Sequence, residues 1–256
     1  MTDHDQILLH FSGCGAAFPY SLGYAAQLRD AFNLDRNVHF SGVSAGALVA
    51  VCLRLQVELP FAAELAYRYQ QQLSKRRLGL FGVWRQLLVP YYHELLPDNI
   101  AYDRLDRLHI KVTYINGQST FIDRFDSKDD LVDAILASQH IPFFLDLKPW
   151  GRFRGRRCLD ADVLCRPIYP AMKRKLIVSP YDKESGYSSH IGFFESLSRK
   201  SRKRIQELQT IGYDRAQRNF SKHQSLGLLA QSVSDSRYRR GRRDGFIDRF
   251  ADETPI

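Results

Sequence analysis

The sequence predicts an α/β fold built on a mainly parallel sheet. Strand-like and helix-like runs alternate from residue 6 onward, the pattern of strands joined by helical crossovers. The first two strand-like runs, "QILLHFSG" (6–13) and "NVHFSG" (37–42), are short, and the first reads as buried. Each ends in a glycine turn leading towards a helix, so the two turns can converge at one end of a sheet.

Taken in order, "YSLGYAAQLRDAF" (20–32) has helical apolar spacing, and a second helix is expected from Ser44 to about Gln56. Pro60 marks a helix start, and "FAAELAYRYQQQLSKRR" (61–77) continues it with cations in the last turn. The segment "LGLFGVWRQLLVPYYHELLP" (78–97) is apolar and aromatic without clean periodicity; it reads as core, with a lid or interface-seeking segment as the alternative. "HIKVTYINGQSTFIDRF" (109–125) places two β-rich runs around Asn116-Gly117, a strong hairpin signal. "SKDDLVDAILAS" (127–138) is a helix with Ser127 as N-cap and acids in its first turn. Residues 190–220 read as charged helix, and from about 221 onward Ser, Arg, Gly and Asp dominate. The expected organisation is one domain over 1–220 and a basic, partly disordered segment over 221–256.

Composition narrows the function classes. No window reaches the roughly eighteen apolar residues of a membrane span, and "MTDHDQ" is too acidic for a secretory signal. Cys14, Cys52, Cys158 and Cys165 lack metal-ligand spacing and nothing suggests an oxidising compartment, which points to a reduced, cytoplasmic protein. The net charge of +9 is uneven: residues 1–150 carry 14 Lys and Arg against 16 Asp and Glu, residues 151–256 carry 23 against 12. Three clusters, "GRFRGRR" (151–157), "SRKSRKR" (198–204) and "RYRRGRR" (237–243), would draw a polyanion or an anionic membrane, or form a solvated face. Nucleic acid is not expected, because no binding motif accompanies the charge.

The candidate chemistry centres on "HFSGVSAGAL" (39–48). Gly42-Val43-Ser44-Ala45-Gly46 has the form of a nucleophile elbow, a sharp strand-to-helix turn that exposes Ser44 at the positive end of its helix. An acyl-transferring serine also needs oxyanion donors, which "SGCGAA" (12–17) can supply through bare amides around Gly13 and Gly15. A mononucleotide loop fits that turn almost as well, although Phe18 breaks the dinucleotide fingerprint and no P-loop lysine is present. The base stays open between a histidine placed after Ser44, namely His190 or His223, and a carboxylate acting directly. Cys14 reads as a buried small hydrophobe and His140 as a hydrogen-bonded structural histidine.

These motifs, in this order, resemble the patatin-like phospholipases and lipases, and most closely the branch with the adipose-type triacylglycerol lipases. The glycine-rich loop matches "SGCGAAFPYSLG" (12–23), and the family's G-x-S-x-G matches Gly42 to Gly46. Its S-K-D-E-L helix start corresponds to "FDSKDDLVDAILAS" (125–138), its A-S-x-x-I-P to "ASQHIPFF" (137–144) and its D-G-[GA] to Asp160-Ala161-Asp162. The likeness covers about residues 7–220 and implies a three-layer α/β/α patatin-like fold. It further implies a Ser44–Asp160 dyad, with amides around Gly13, Cys14 and Gly15 as oxyanion hole. Two departures stand out. Phe18 takes the place of a glycine, and Asp162 adds a second negative charge beside the proposed base, from which a raised pKa is expected.

The resemblance implies a serine hydrolase of glycerolipid carboxylic esters, of triacylglycerol lipase or phospholipase A type, working without metal or organic cofactor. Its expected place is peripheral, on an anionic membrane or lipid-droplet surface engaged by the basic C-terminal half. The alternative is a catalytically silent patatin-like module that binds lipid or a protein.

Overall fold

A computed structural model describes residues 6–34, 37–160, 168–182 and 196–230. Its sheet has a parallel core of four strands in the order β7-β1-β2-β3, where β1 is Ile7–Phe11, β2 Val38–Gly42, β3 Leu108–Tyr114 and β7 Arg174–Val178. All of β1 is buried, which requires cover on both faces and accounts for its unbroken apolar run. Helices flank this sheet in the expected three-layer arrangement, around one hydrophobic core. Among the described residues, no helix is long and apolar enough to cross a membrane.

The first crossover is α1 (Phe18–Ala31), with Pro19 in its opening turn where the missing N–H costs nothing. It packs tightly on α6 (Arg202–Arg218): a Cβ on Gly23 would strike the backbone of Gln209, and one on Gly212 the backbone of Tyr20. Next come α2 (Ala45–Arg54), α3 (Leu59–Gln71) and α4 (Trp84–Leu95). The third of these helices falls within 78–97, whose aperiodic apolar residues now have a reason. Leu87, Tyr91, Tyr92 and Leu95 are buried, and Pro90 interrupts the pattern from inside the helix. The helix expected over 61–77 stops at Gln71; Leu73, Ser74, Arg76 and Gly79 instead donate to carbonyls three residues back, as successive tight turns.

The hairpin expected at Asn116-Gly117 joins β3 to β4 (Ser119–Ile122), and Gly117 takes φ +81° at the turn. Ser127 caps α5 (Lys128–Ser138), accepting from the Asp130 N–H at 3.1 Å, with Asp129 and Asp130 in the first turn. A second hairpin, β5 (Gly151–Phe153) and β6 (Arg156–Leu159), turns at Arg154-Gly155, both at positive φ. It lies where the sequence shows only a basic cluster.

The fold continues past residue 220. In α7 (Phe220–Ser225) His223 is fully buried and shares a 2.8 Å hydrogen bond with the Tyr24 hydroxyl. Leu228 is buried, and the Asn33 N–H donates to Leu229 O at 2.9 Å. Thus 221–230, expected as the start of the basic tail, packs on α1; the rest of that segment, 231–256, lies outside the described residues.

Candidate active site

The parallel register pairs Phe11 with Gly42, so β1 and β2 end at the same level and their turns meet. The Val43 N–H donates to Phe11 O at 3.2 Å, joining the two turns directly. A Cβ on Gly46 would collide with the Phe11 carbonyl, and one on Gly42 with that of Gly46. Only glycine at both places lets α2 start so close to β1. Between them Ser44 takes φ +53° and ψ −130°, a conformation that costs a non-glycine residue about 1–3 kcal/mol. Such strain persists where the surroundings enforce it, as at a nucleophile elbow.

The glycine-rich loop faces the same space. Cys14 leads into a single 3-10 turn at Gly15–Ala17, and Gly15 holds φ +50° with the Ser196 backbone packed where a Cβ would stand. Phe18 has φ −54° and ψ −22°, ordinary right-handed helix, so the departure from glycine there needs no special backbone. Its side chain lines the pocket together with Gly15 and Ser44. The Cys14 thiol is buried 3.8 Å from Ser21 Oγ and does not line the pocket, consistent with a packing role.

Asp160 reaches this end of the sheet by another route. The Phe40 N–H donates to Arg107 O at 2.8 Å, and the Ile115 N–H donates to Arg157 O at 3.2 Å. Arg107 and Ile115 are an even number of residues apart, so β2 and β6 lie along the same edge of the β3 strand. The β4 strand takes the other edge, where the Tyr114 N–H donates to Gln118 O. With Gly42 opposite Ile110 and Leu159 opposite Thr113, the antiparallel β6 strand runs back towards the elbow and delivers Asp160 between those levels.

Three consecutive residues at the end of α5 fasten the two sides together. The Ser138 hydroxyl accepts from the Ser44 N–H at 2.8 Å, and Gln139 Nε2 donates to Ser44 O at 3.3 Å. The His140 carbonyl accepts from the Asp160 N–H at 2.8 Å. Gln139 is itself held by the Tyr92 hydroxyl, which donates to its Oε1 at 2.7 Å. Because successive Cα atoms are only about 3.8 Å apart, the clamp confines Ser44 and Asp160 to one neighbourhood. "ASQHIPFF" enters the sequence reading only as part of a family likeness; that Ser138 and Gln139 grip the elbow has no local sequence signal, since the partners lie 94 and 95 residues away.

Ser44 is 6% exposed and Asp160 3% exposed, and Ser44 lines a pocket. That pocket, about 620 Å³ including its mouth, is lined chiefly by Leu48, Trp84, Leu87, Leu88, Tyr91 and Ile141. Its apolar lining suits an apolar ligand. No described histidine lines it. His223 belongs to the α1–α7 packing, with its pKa pushed down to about 4 by burial, and His190 lies outside the described residues. His140 is buried with Nε2 3.3 Å from Lys148 O, as a structural histidine. Burial lowers its pKa. Ala161 and Asp162 lie outside the described residues.

Comparison with known proteins adds an independent line. The patatin-like phospholipase family matches residues 9–165, a span that includes both glycine turns, Ser44 and Asp160. Over 181 residues the chain is 33% identical to mouse 1-acylglycerol-3-phosphate O-acyltransferase Pnpla3, covering 68% of this chain and 43% of that protein. It is 31% identical over 188 residues to human patatin-like phospholipase domain-containing protein 2, covering 69% and 36% respectively. To human patatin-like phospholipase domain-containing protein 4 it is 28% identical over 192 residues, covering 69% and 72%. The chain thus spans less than half the length of the first two relatives. With the matched span carrying the elbow, the glycine loop and the sheet that joins them, the chain belongs to the patatin-like phospholipase family.

Proposed function

We propose that this chain is a serine acyl hydrolase acting on carboxylic esters of glycerolipids through Ser44 and Asp160. One observation carries the reading: a strained serine at a helix N-terminus opens into an apolar pocket, while a clamp ties it to a buried aspartate. In this mechanism the acyl chain lies among Leu48, Leu87, Leu88 and Tyr91, bringing its carbonyl carbon to Ser44 Oγ. Asp160 takes the hydroxyl proton as the C–O bond forms. Amides at Gly13, Cys14 and Gly15, with the α2 N-terminus, receive the oxyanion. Collapse returns the proton to the departing glycerolipid oxygen and leaves an acyl-serine.

Asp160 then activates the acceptor that releases the acyl group. Water gives hydrolysis; an acylglycerol hydroxyl gives transfer, in keeping with the acyltransferase name of one relative. The test is fatty-acid release from defined triacylglycerol and phosphatidylcholine, comparing wild type with folded Ser44→Ala and Asp160→Asn. Each variant should lose about a thousandfold or more in kcat. Release that survives Ser44→Ala, or a folded wild type that turns over neither lipid nor a soluble ester, contradicts the reading. Vesicle binding without turnover would then favour the silent lipid-binding module.

A further inference from the structure

The segments 78–84 and 141–148 both border the pocket, contributing Trp84, Ile141 and Leu145 to its lining. They are fastened to each other: the Gly82 N–H donates to Phe144 O at 2.7 Å and the Arg85 N–H to Leu145 O at 3.0 Å. The Phe144 ring meets Phe81 and Trp84 edge-on, at centroid distances of 5.9 and 5.4 Å. Leu147 lies over Gly82, its Cδ2 only 2.6 Å from where a Cβ on that glycine would stand.

The outer side of this pair of segments is apolar and open to water. Leu78 is 66% exposed, Phe81 41%, Phe143 54% and Leu147 60%. Phe143 and Leu147 both hold φ +61°, a region that bulky side chains avoid. The structure therefore maintains backbone strain at two residues whose side chains remain at the surface. Exposed apolar side chains on two fastened segments beside a pocket mouth have the form of an interaction surface.

Charge identifies the occupant. Lys75, Arg76 and Arg77 immediately precede Leu78, and among the described residues no carboxylate pairs with any of them. Lys148, which follows Leu147, is exposed but already pairs with Asp146 at 3.8 Å, so the three cations of 75–77 carry the argument. By contrast, two basic clusters of the C-terminal half are largely engaged within the protein. Arg154 is bound to Asp130, Arg156 stacks on Tyr114 and Arg157 on Trp150, while Arg202 pairs with Glu64 and Arg204 with Glu207. The cluster at 237–243 lies outside the described residues.

We infer that the face formed by Leu78, Phe81, Phe143 and Leu147, with Lys75 to Arg77 beside it, docks on an anionic phospholipid bilayer. Docked there, the apolar side chains enter the boundary between headgroups and acyl chains while the cations meet the headgroups. An acyl chain then passes into the pocket without crossing water. The inference rests on reading the pocket as the acyl site and adds the surface that feeds it.

The test uses the whole chain and sucrose-loaded vesicles of phosphatidylcholine, with or without phosphatidylserine. Phe143→Asn with Leu147→Asn removes the apolar groups while suiting the left-handed backbone, which asparagine tolerates. This pair should weaken vesicle binding by about tenfold or more and leave hydrolysis of a water-soluble short-chain ester unchanged. Lys75→Gln, Arg76→Gln and Arg77→Gln together should weaken binding to phosphatidylserine vesicles by about tenfold or more, an effect removed by high salt. Wild-type binding by both variants overturns the inference. So does a lipid-free dimer that either variant dissolves while vesicle binding persists, because a second copy would then own the face. Absence of ester hydrolysis alongside vesicle binding that both variants impair counts against the active-site reading alone.

Discussion

Ser44 and Asp160 lie at the same end of the sheet but are held there by different means. Around Ser44 the constraints are packed into a few neighbouring residues: Gly42 and Gly46 admit the close approach to β1, and the chain between them is forced to φ +53°. Asp160 ends a short hairpin whose place comes from pairing with β3, about forty-five residues earlier, and from the His140 carbonyl. The hairpin is tied down at its turn, where Arg154 donates to both Asp130 oxygens and to Arg124 O. A locally enforced elbow should fail abruptly when its glycines change, and a remotely braced aspartate should loosen by degrees.

The largest expected effect tests the elbow. Gly46→Ala drives a Cβ into the Phe11 and Ser12 carbonyls, which belong to backbone and cannot rotate away. It should cost about 3 kcal/mol or more by urea denaturation; a loss under about 1 kcal/mol would show that the β1–α2 approach is not the constraint.

A smaller effect tests the clamp between the two regions. Ser138→Ala leaves the buried Ser44 N–H without its acceptor, a loss of about 1–3 kcal/mol. If the clamp positions Ser44, kcat for a soluble ester falls about tenfold with little change in KM, and Ser138→Thr, which keeps the acceptor oxygen, restores most of it. Equal kcat in Ser138→Ala and wild type would show that the elbow needs no support from α5.

The smallest effect is at the hairpin. Arg154→Ala should cost under about 1 kcal/mol, because the guanidinium is partly exposed and screened. The Arg154 hydrogen bond holds the Asp130 carboxyl below the usual aspartate range. The pair's contribution is therefore fully present above the pH where an unfolded aspartate ionises, and is lost as pH falls through the depressed folded value. Acid titration of stability should show wild type and Arg154→Ala converging at low pH. A gap that stays constant would mean that Arg154 acts through packing.

This contrast also explains what the sequence could convey. The α/β class, the two glycine turns and the Asn116-Gly117 hairpin depend on neighbours, and each was legible from residue type and spacing. So was the Ser127 cap. The β5–β6 hairpin was not, because "GRFRGRR" has arginine at most positions that should alternate, and Tyr114 and Trp150, which carry Arg156 and Arg157, give no local signal. The α4 helix was hidden by Pro90 and by apolar residues on both the core and pocket sides. Asp160 stood out only through family likeness, since its distinguishing feature is where β6 pairs.

In the proposed mechanism Ser44 is an activated nucleophile whose reactivity depends on Asp160. Its most direct test is covalent labelling by a fluorophosphonate, located by peptide mass spectrometry in wild type, Ser44→Ala and Asp160→Asn, each shown to be folded by thermal denaturation. One adduct is expected, on Ser44, absent from Ser44→Ala and formed at least about a hundredfold more slowly in Asp160→Asn. A folded wild type that takes no label with vesicles present, or an Asp160→Asn variant that labels at the wild-type rate, would contradict it.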